Sequence, residues 1–433
     1  MVERGSGKMN RKKTLLVIGG GIQAVDGIRT ARRLGLRVIV SDINPDAPGF
    51  EYADGQIIAS TYDPEATVAA TIQWCQHNGP IDGVLCIATD VPHTVAAVAE
   101  ALQLPGIPRD VAALAVDKLA MKEKFRQDKI PIPDFHPVLS PKHIQELLDR
   151  FGGKLVLKPV DSRGGRGVLL ITGDIDREWA FRKSRSQSPS GRVMAEEYIP
   201  GPQVSTETIV LDGTAHTPGF ADRNYELLER YSPYFIENGG SLPSILPAAV
   251  QQKVLNLIQK AAQSLGIKNG VIKGDIVIHD GTPKIIELAA RLSGGYFCTH
   301  SIPLNVGVST VVAAIHLALG EPVHPEDLRP KYQRGVAQRY LFANPGRVIR
   351  ITGLDTARNI QGIEEVIMTV RPGDIVTPPT NSSGSQGMIL GTGTDRDEAL
   401  SRVLAAVEAI RIETEPIGEM RISTEKSHDQ EPL

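Results

Sequence analysis

Three segments of this chain set charged side chains beside glycines at spacings suited to handling phosphate. The first, residues 154–168, reads KLVLKPVDSRGGRGV. An apolar strand ends at Lys158-Pro159 and feeds the loop Ser162-Arg163-Gly164-Gly165-Arg166-Gly167. Three glycines and two arginines within six residues suit a flexible flap whose backbone N–H groups and guanidiniums surround phosphate oxygens. A lysine leaving the preceding strand reaches the same oxygens as a point charge. A plain hairpin turn would use the glycines but would need neither the arginines nor the lysine. On a surface flap, Lys158 is expected to be replaceable without cost to the core.

The second segment, residues 193–207, reads VMAEEYIPGPQVSTE. A strand ends in Glu196-Glu197-Tyr198-Ile199, turns at Pro-Gly and continues as another strand. Backbone groups exposed at such a hinge can read an adenine edge, and alternation puts Gln203, Ser205 and Glu207 on one face. The alternative is a solvated acidic strand end. The third segment, residues 270–296, reads as a hairpin turning at His279-Asp280-Gly281. Asp275 and Glu287 can then meet across the ladder, where hard oxygen ligands hold Mg²⁺ together with substrate phosphates and water. Arg291, four residues past Glu287, would stand near a transferring phosphoryl group. The competing reading pairs Asp275 with Lys273 or Lys284, as on ordinary sheet surfaces.

Alternating strand and helix patterns must position these segments. Residues 14–18 (TLLVI) enter the cluster Gly19-Gly20-Gly21-Ile22-Gln23-Ala24, a helix follows, and a second strand ends at Asp42. That is a βαβ unit of a parallel sheet. The glycines with Asp42 also fit a dinucleotide fingerprint, although the same glycines serve any tight strand-to-helix turn. Further strands at 55–59 and 83–87 and helices at 65–78 and 92–102 complete a first domain at 1–117. A second domain follows at 118–325, opening on a charged helix (118–128) and carrying the flap at about 151–200. Within it, Ser184–Gly191 (SRSQSPSG) reads as a mobile loop on composition. The proline-rich Glu321–Lys331 reads as a linker to a small α+β domain at 334–412. A basic, polar leader (1–13) and a polar tail from 423 read as disordered.

Composition narrows the partners. A formal charge of −3 gives no electrostatic footprint for nucleic acid or an anionic membrane. Apolar runs stop short of the ~20 residues a membrane helix needs. Three cysteines without CxxC spacing suit neither a disulfide framework nor a structural zinc, which leads to the expectation of a reducing, cytoplasmic setting.

The order Lys118, then Lys158 with its flap, then EEYI, then Asp275, Glu287 and Arg291 resembles the ATP-grasp superfamily across about 14–412. The glycine turn at 19–21 then resembles its Rossmann-like pre-ATP-grasp domain, which generally does not hold NAD. Residues 233–247 (PYFIENGGSLPSILP), the ELAARLSGGY run and VRPGDIVTPP resemble the bacterial L-amino-acid ligase branch. The C-terminal stretch is also similar to biotin-carboxylase relatives. The resemblance implies an α/β and α+β fold: a pre-ATP-grasp domain, an ATP-grasp domain of two α+β subdomains, and a small C-terminal α+β domain.

It also implies roles. Lys118 and Lys158 would hold ATP phosphates under the flap of Ser162, Arg163, Gly164, Gly165 and Gly167. Glu196, Glu197 and Ile199 would present the adenine contacts, with Gln203 and Glu207 beside them. Asp275 and Glu287 would ligate Mg²⁺, with Mn²⁺ as a substitute, and Arg291 would stabilise phosphoryl transfer. Glu237, Gly294 and Gly295 would face the amino-acid substrate. Three positions depart from the family pattern: Ala289 replaces an asparagine ligand, Asp275 a more frequent glutamate, and Gln203 a ribose-binding glutamate. The implied activity is ATP- and Mg-dependent joining of a small carboxylate to an amine through an acyl-phosphate, in a homodimer. The rivals are bicarbonate activation of the biotin carboxylase or purine-pathway type, an ATP-binding module without catalysis, and NAD-dependent oxidoreduction.

Overall fold

A strand buried on both faces reads as an unbroken apolar run, and β1 (Thr14–Ile18) is buried at all five positions. The computed structural model describes residues 11–417, so most of the basic leader and the polar tail lie outside the described residues. β1 joins β2 (Arg37–Asp42), β3 (Gly55–Ile58) and β4 (Gly83–Cys86) in a sheet ordered β3-β2-β1-β4. Every pairing in it is parallel, as the alternation of strands and helices requires. Its core is completed from far along the chain. Leu292, Cys298 and the helix Thr310–Ala318 pack against Leu15, Val17 and Ile28.

A second sheet, ordered β5-β8-β6-β7, consists of β5 (Phe135–Val138), β6 (Leu155–Pro159), β7 (Leu169–Ile171) and β8 (Val193–Glu197). The glycine-rich loop connects β6 to β7. The third sheet has eight strands: β9 (Gln203–Leu211), β10 (Thr214–Arg223), β11 (Gly240–Leu242), β12 (Gly270–His279), β13 (Thr282–Ala289), β14 (Gly335–Leu341), β16 (Ile363–Met368) and β18 (Gly387–Gly393). Their order is β13-β12-β9-β10-β11-β14-β18-β16. The C-terminal strands therefore extend the central sheet through the β11–β14 pairing, Ser241 to Ala337. A small sheet of β15 (Gly346–Thr352), β17 (Ile375–Val376) and β19 (Arg411–Glu415) closes the chain.

Two local expectations change. The first three residues of the polar segment expected to be a mobile loop, Ser184 to Ser186, belong to a helix, Arg177–Ser186, capped by the Asp176 carboxylate. The rest is tied down, because Asp161 accepts hydrogen bonds from Ser188 Oγ and Ser190 N. Serines that look solvated in sequence here satisfy a neighbouring carboxylate. The proline-rich 321–331 stretch is likewise anchored: Leu328 is buried and Lys331 N donates to the Val306 carbonyl at 2.9 Å. No described helix is long and apolar enough to cross a membrane.

Candidate active site

A cleft of about 740 Å³ opens between the first sheet, the flap sheet and the central sheet. The helix Lys118–Gln127 supplies its first lysine. Asp117 caps that helix by accepting the Ala120 N–H at 2.9 Å. Residues four apart share a helix face, so Lys118 and Lys122 are both buried against the site. Lys158, at the end of β6, joins them.

These lysines share carboxylates. Glu196 stands on β8 opposite Val156 of β6, and its side chain pairs with Lys158 at 2.5 Å and Lys122 at 3.0 Å. All three are nearly sealed from solvent. Burial opposes ionisation of Glu196, but the two ammonium groups hold its carboxyl below the usual range. Burial pushes Lys122 down to about 8, against the pull of Glu196. Lys158 is 3 % exposed, so the surface position expected for it is corrected: β6 carries it inward to the buried Glu196. Lys118 donates to the Ser162 carbonyl at 2.6 Å and pairs with Glu287 at 3.2 Å.

Across the cleft, Asp275 of β12 and Glu287 of β13 are register partners. Glu287, half-buried, faces the cleft beside the buried Lys118. Asp275 accepts from Ser205 Oγ and pairs with Arg223 at 2.9 Å and with Lys273. Burial would raise its carboxyl, but Arg223 and Lys273 hold it well below the ordinary value. The Lys273 pairing weighed from sequence is thus present, while Lys284 pairs with Glu197 at 3.7 Å. Arg223 also reaches Glu237 at 2.6 Å. Arg291 reaches Asp90, on the loop after β4, at 3.4 Å.

The flap lies across this arrangement. Gly164 and Gly165 have φ of +61° and +72°, the left-handed region where a side chain is strained. Arg163 donates to the Asp90 carbonyl at 3.1 Å and stacks 3.7 Å from the Tyr62 ring centre. From the C-terminal part, Ser382 and Ser383 also line the cleft, and Ser382 Oγ accepts the Glu237 N–H at 3.1 Å.

Of the residues singled out from sequence, Lys118, Lys158, Ser162, Arg163, Gly164, Gly165, Glu196, Glu197, Ile199, Gln203, Glu237, Asp275, Glu287, Arg291, Gly294 and Gly295 all border this one cleft. Two do not. Gly167 packs against Gln187 and Pro159. Glu207 is fully buried, and its carboxylate accepts the Ser293 N–H at 3.2 and 3.3 Å. β9 does put Gln203, Ser205 and Glu207 on one face, but the last of them runs under Ser293. The N-terminal glycine cluster contributes Gly21 and Gln23, and Gln23 Oε1 accepts the Gly295 N–H at 2.8 Å. Asp42 instead accepts the Gly20 N–H at 2.8 Å, bracing the turn.

Sequence reading missed Asp90, Lys122 and Arg223, and weighed Lys273 only as an ordinary sheet-surface partner of Asp275. Only Lys122 carried a signal, its spacing of four from Lys118. The others become site residues through contacts between distant segments.

A nucleotide-sized cleft under a glycine-rich flap, with lysines on one side and paired carboxylates on the other, marks an ATP-using enzyme fold. The ATP-grasp domain family matches residues 115–295, the ATP-grasp N-terminal domain 28–106, and the L-amino acid ligase C-terminal domain 2 residues 339–415. An L-amino acid ligase from Bacillus licheniformis has the same fold, with a TM-score of 0.78 at 23% identity, covering 94% of this chain and 99% of that one. A formate-dependent phosphoribosylglycinamide formyltransferase of Saccharolobus solfataricus is 23% identical over 95% of this chain and 100% of its own. A D-alanine–D-alanine ligase of Ralstonia nicotianae is 28% identical over 41% of this chain and 54% of its own. The chain belongs to the ATP-grasp ligases, with a C-terminal domain of the L-amino acid ligase type.

Proposed function

We propose that the chain is an ADP-forming carboxylate–amine ligase that makes an amide through an acyl-phosphate. The observation that carries this is the convergence of Lys118, Lys158, Glu287 and Arg291, from three parts of the chain, on one cleft beneath the flap. A substrate carboxylate attacks the γ-phosphate of ATP, ADP leaves, and an amine then displaces phosphate from the acyl-phosphate. Such chemistry asks the protein mainly for positioning and charge neutralisation.

Lys118 and Lys158 would steady the phosphates, and Arg291 would neutralise charge on the phosphoryl group in transfer. The flap, held to the first domain through Arg163, would exclude water from an acyl-phosphate that water destroys. The donor set fits Mg²⁺ with one main carboxylate. Glu287 faces the cleft, whereas Asp275 is already occupied by Arg223, Lys273 and Ser205. Among the described residues no group of three or more His, Cys, Asp or Glu side chains could hold a metal, so substrate phosphates would complete the shell. Glu287 would hold the ion, which when bound would supply neutralisation of phosphate charge. The three cysteines are free thiols, in keeping with a cytoplasmic setting.

The test is phosphate and ADP release from Mg·ATP with pooled amino acids and small carboxylates, bicarbonate being supplied as a separate pool. Stoichiometric ADP and phosphate with a new amide by mass is the expected result. Turnover with bicarbonate alone would replace amide formation by carboxylation. ATP binding without ADP from any pool would refute the ligase reading.

A further inference from the structure

One corner of the cleft holds polar groups that phosphate chemistry does not use. On β14, Gln338 and Tyr340 are two residues apart, so they share a face of the strand, and both line the cleft. The corner is fixed by backbone: Ser241 of β11 pairs with Ala337, and Tyr340 N donates to Asn238 Oδ1 at 2.9 Å. Its other borders are glycine. A Cβ on Gly239 would come within 2.2 Å of the Gln338 carbonyl, and one on Gly295 within 3.1 Å of the Tyr340 hydroxyl. No side chain from either turn fills the space.

Gln338 is only 8 % exposed, and among the described residues its Nε2 makes no hydrogen bond of full geometry. Its side chain contacts the Tyr340 hydroxyl, which burial keeps protonated far above neutral pH. A contact to one hydroxyl leaves at least one N–H of this buried amide without a well-formed acceptor, and such a donor marks a place for one. The charges nearby are accounted for: Arg223 is paired with Glu237 and Asp275, and Arg339, between Gln338 and Tyr340 on the strand, does not line the cleft and donates to the Gly240 and Gln338 carbonyls.

We infer that Gln338 and Tyr340 form a specificity subsite for the neutral, hydrogen-bonding tip of an amino-acid side chain, a carboxamide or a hydroxyl. This rests on the ligase reading above. An anionic or cationic tip would be buried here without a free counter-ion, and an apolar tip would leave the amide unpaired. Sites that hydrogen-bond a substrate group discriminate strongly against analogues lacking it.

The experiment compares isosteric pairs, glutamine with methionine and threonine with valine, in ADP release by the full chain at saturating Mg·ATP. Glutamate is added to test the charged tip. The expected wild-type result is a polar member favoured over its apolar isostere by about tenfold or more in kcat/KM, with glutamate poor. Gln338→Met should erase or invert that ratio through KM, leaving the KM for ATP within about threefold. Tyr340→Phe, which removes only a hydroxyl, should narrow it and serves if Gln338→Met fails a thermal-melt check of folding. Equal use of isosteres by the wild type, or an unchanged ratio in folded variants, with ADP still formed, would overturn the subsite while leaving the ligase reading standing. Silence with every amino acid would overturn both.

Discussion

The Asp90 carboxylate holds the Arg291 guanidinium at 3.4 Å across 201 positions of sequence. The same residue's carbonyl accepts a hydrogen bond from Arg163 of the flap at 3.1 Å. One loop of the first domain therefore touches both the arginine proposed to neutralise the phosphoryl group and the lid over it. Burial opposes the Asp90 charge, but Arg291 and Lys118 keep its carboxyl below the usual range.

Asp90→Asn keeps a polar contact and removes the charge that orients Arg291. The expected outcome is a fall in kcat of about 10- to 100-fold, with the KM for ATP changed less than about threefold. Steady-state ADP release measures both. An unaltered kcat would show that Arg291 needs no anchor.

Lys158→Ala should abolish ADP formation and also lower stability. It leaves the buried Glu196 carboxylate with Lys122 as its remaining partner. A loss of about 1–3 kcal/mol is expected, less than for a carboxylate left wholly unpaired. Urea titration gives the stability. Adding Glu196→Gln should recover part of it without restoring turnover, and normal turnover in the single variant would remove Lys158 from the phosphate site.

Glu287→Gln removes the carboxylate that faces the cleft opposite Lys118. The Mg²⁺ concentration giving half-maximal rate should rise by about tenfold or more, with turnover lowered by about 100-fold or more. A Mg²⁺ titration of ADP release reads both. A superimposable titration would exclude Glu287 from the metal shell and leave Asp275 to be tested.

Glu207 gives a pH prediction. Burial pushes its carboxyl up to about 7 from an ordinary 4.5, against the hydrogen bonds from Ser293. The native state then keeps a proton that the unfolded chain releases between these values. The stability from this group is fully present below pH 4.5 and is lost as pH rises through about 7. Glu207→Gln, a mimic of the protonated form, should flatten that loss and be the more stable protein at pH 8. The difference is on the order of 3 kcal/mol at most. Urea midpoints measured from pH 4 to 8 provide the check, and parallel pH curves for the two proteins would contradict the buried-proton reading.

The sequence by itself determined the elements whose physics is local. β1 and β6 announce themselves as apolar runs leading into glycines, the turn at His279-Asp280-Gly281 sets β12 against β13, and that hairpin alone brings Asp275 opposite Glu287. Lys158 could be picked out because its charge stands beside a glycine-rich flap that a short window reveals, whereas Lys118 entered only through the order of segments that resembles a known family. Tertiary structure decided what depends on contacts between distant segments. It buried Lys158 and Lys122 around Glu196 and gave Asp275 to Arg223 and Lys273. It also drew Glu207 beneath Ser293, brought Asp90 to Arg291, and ran β14 into the central sheet so that Gln338 and Tyr340 reach the cleft. The reason is electrostatic as much as steric. A charged residue's role depends on which opposite charge shares its burial, and that partner is chosen by the packing of sheets rather than by spacing along the chain.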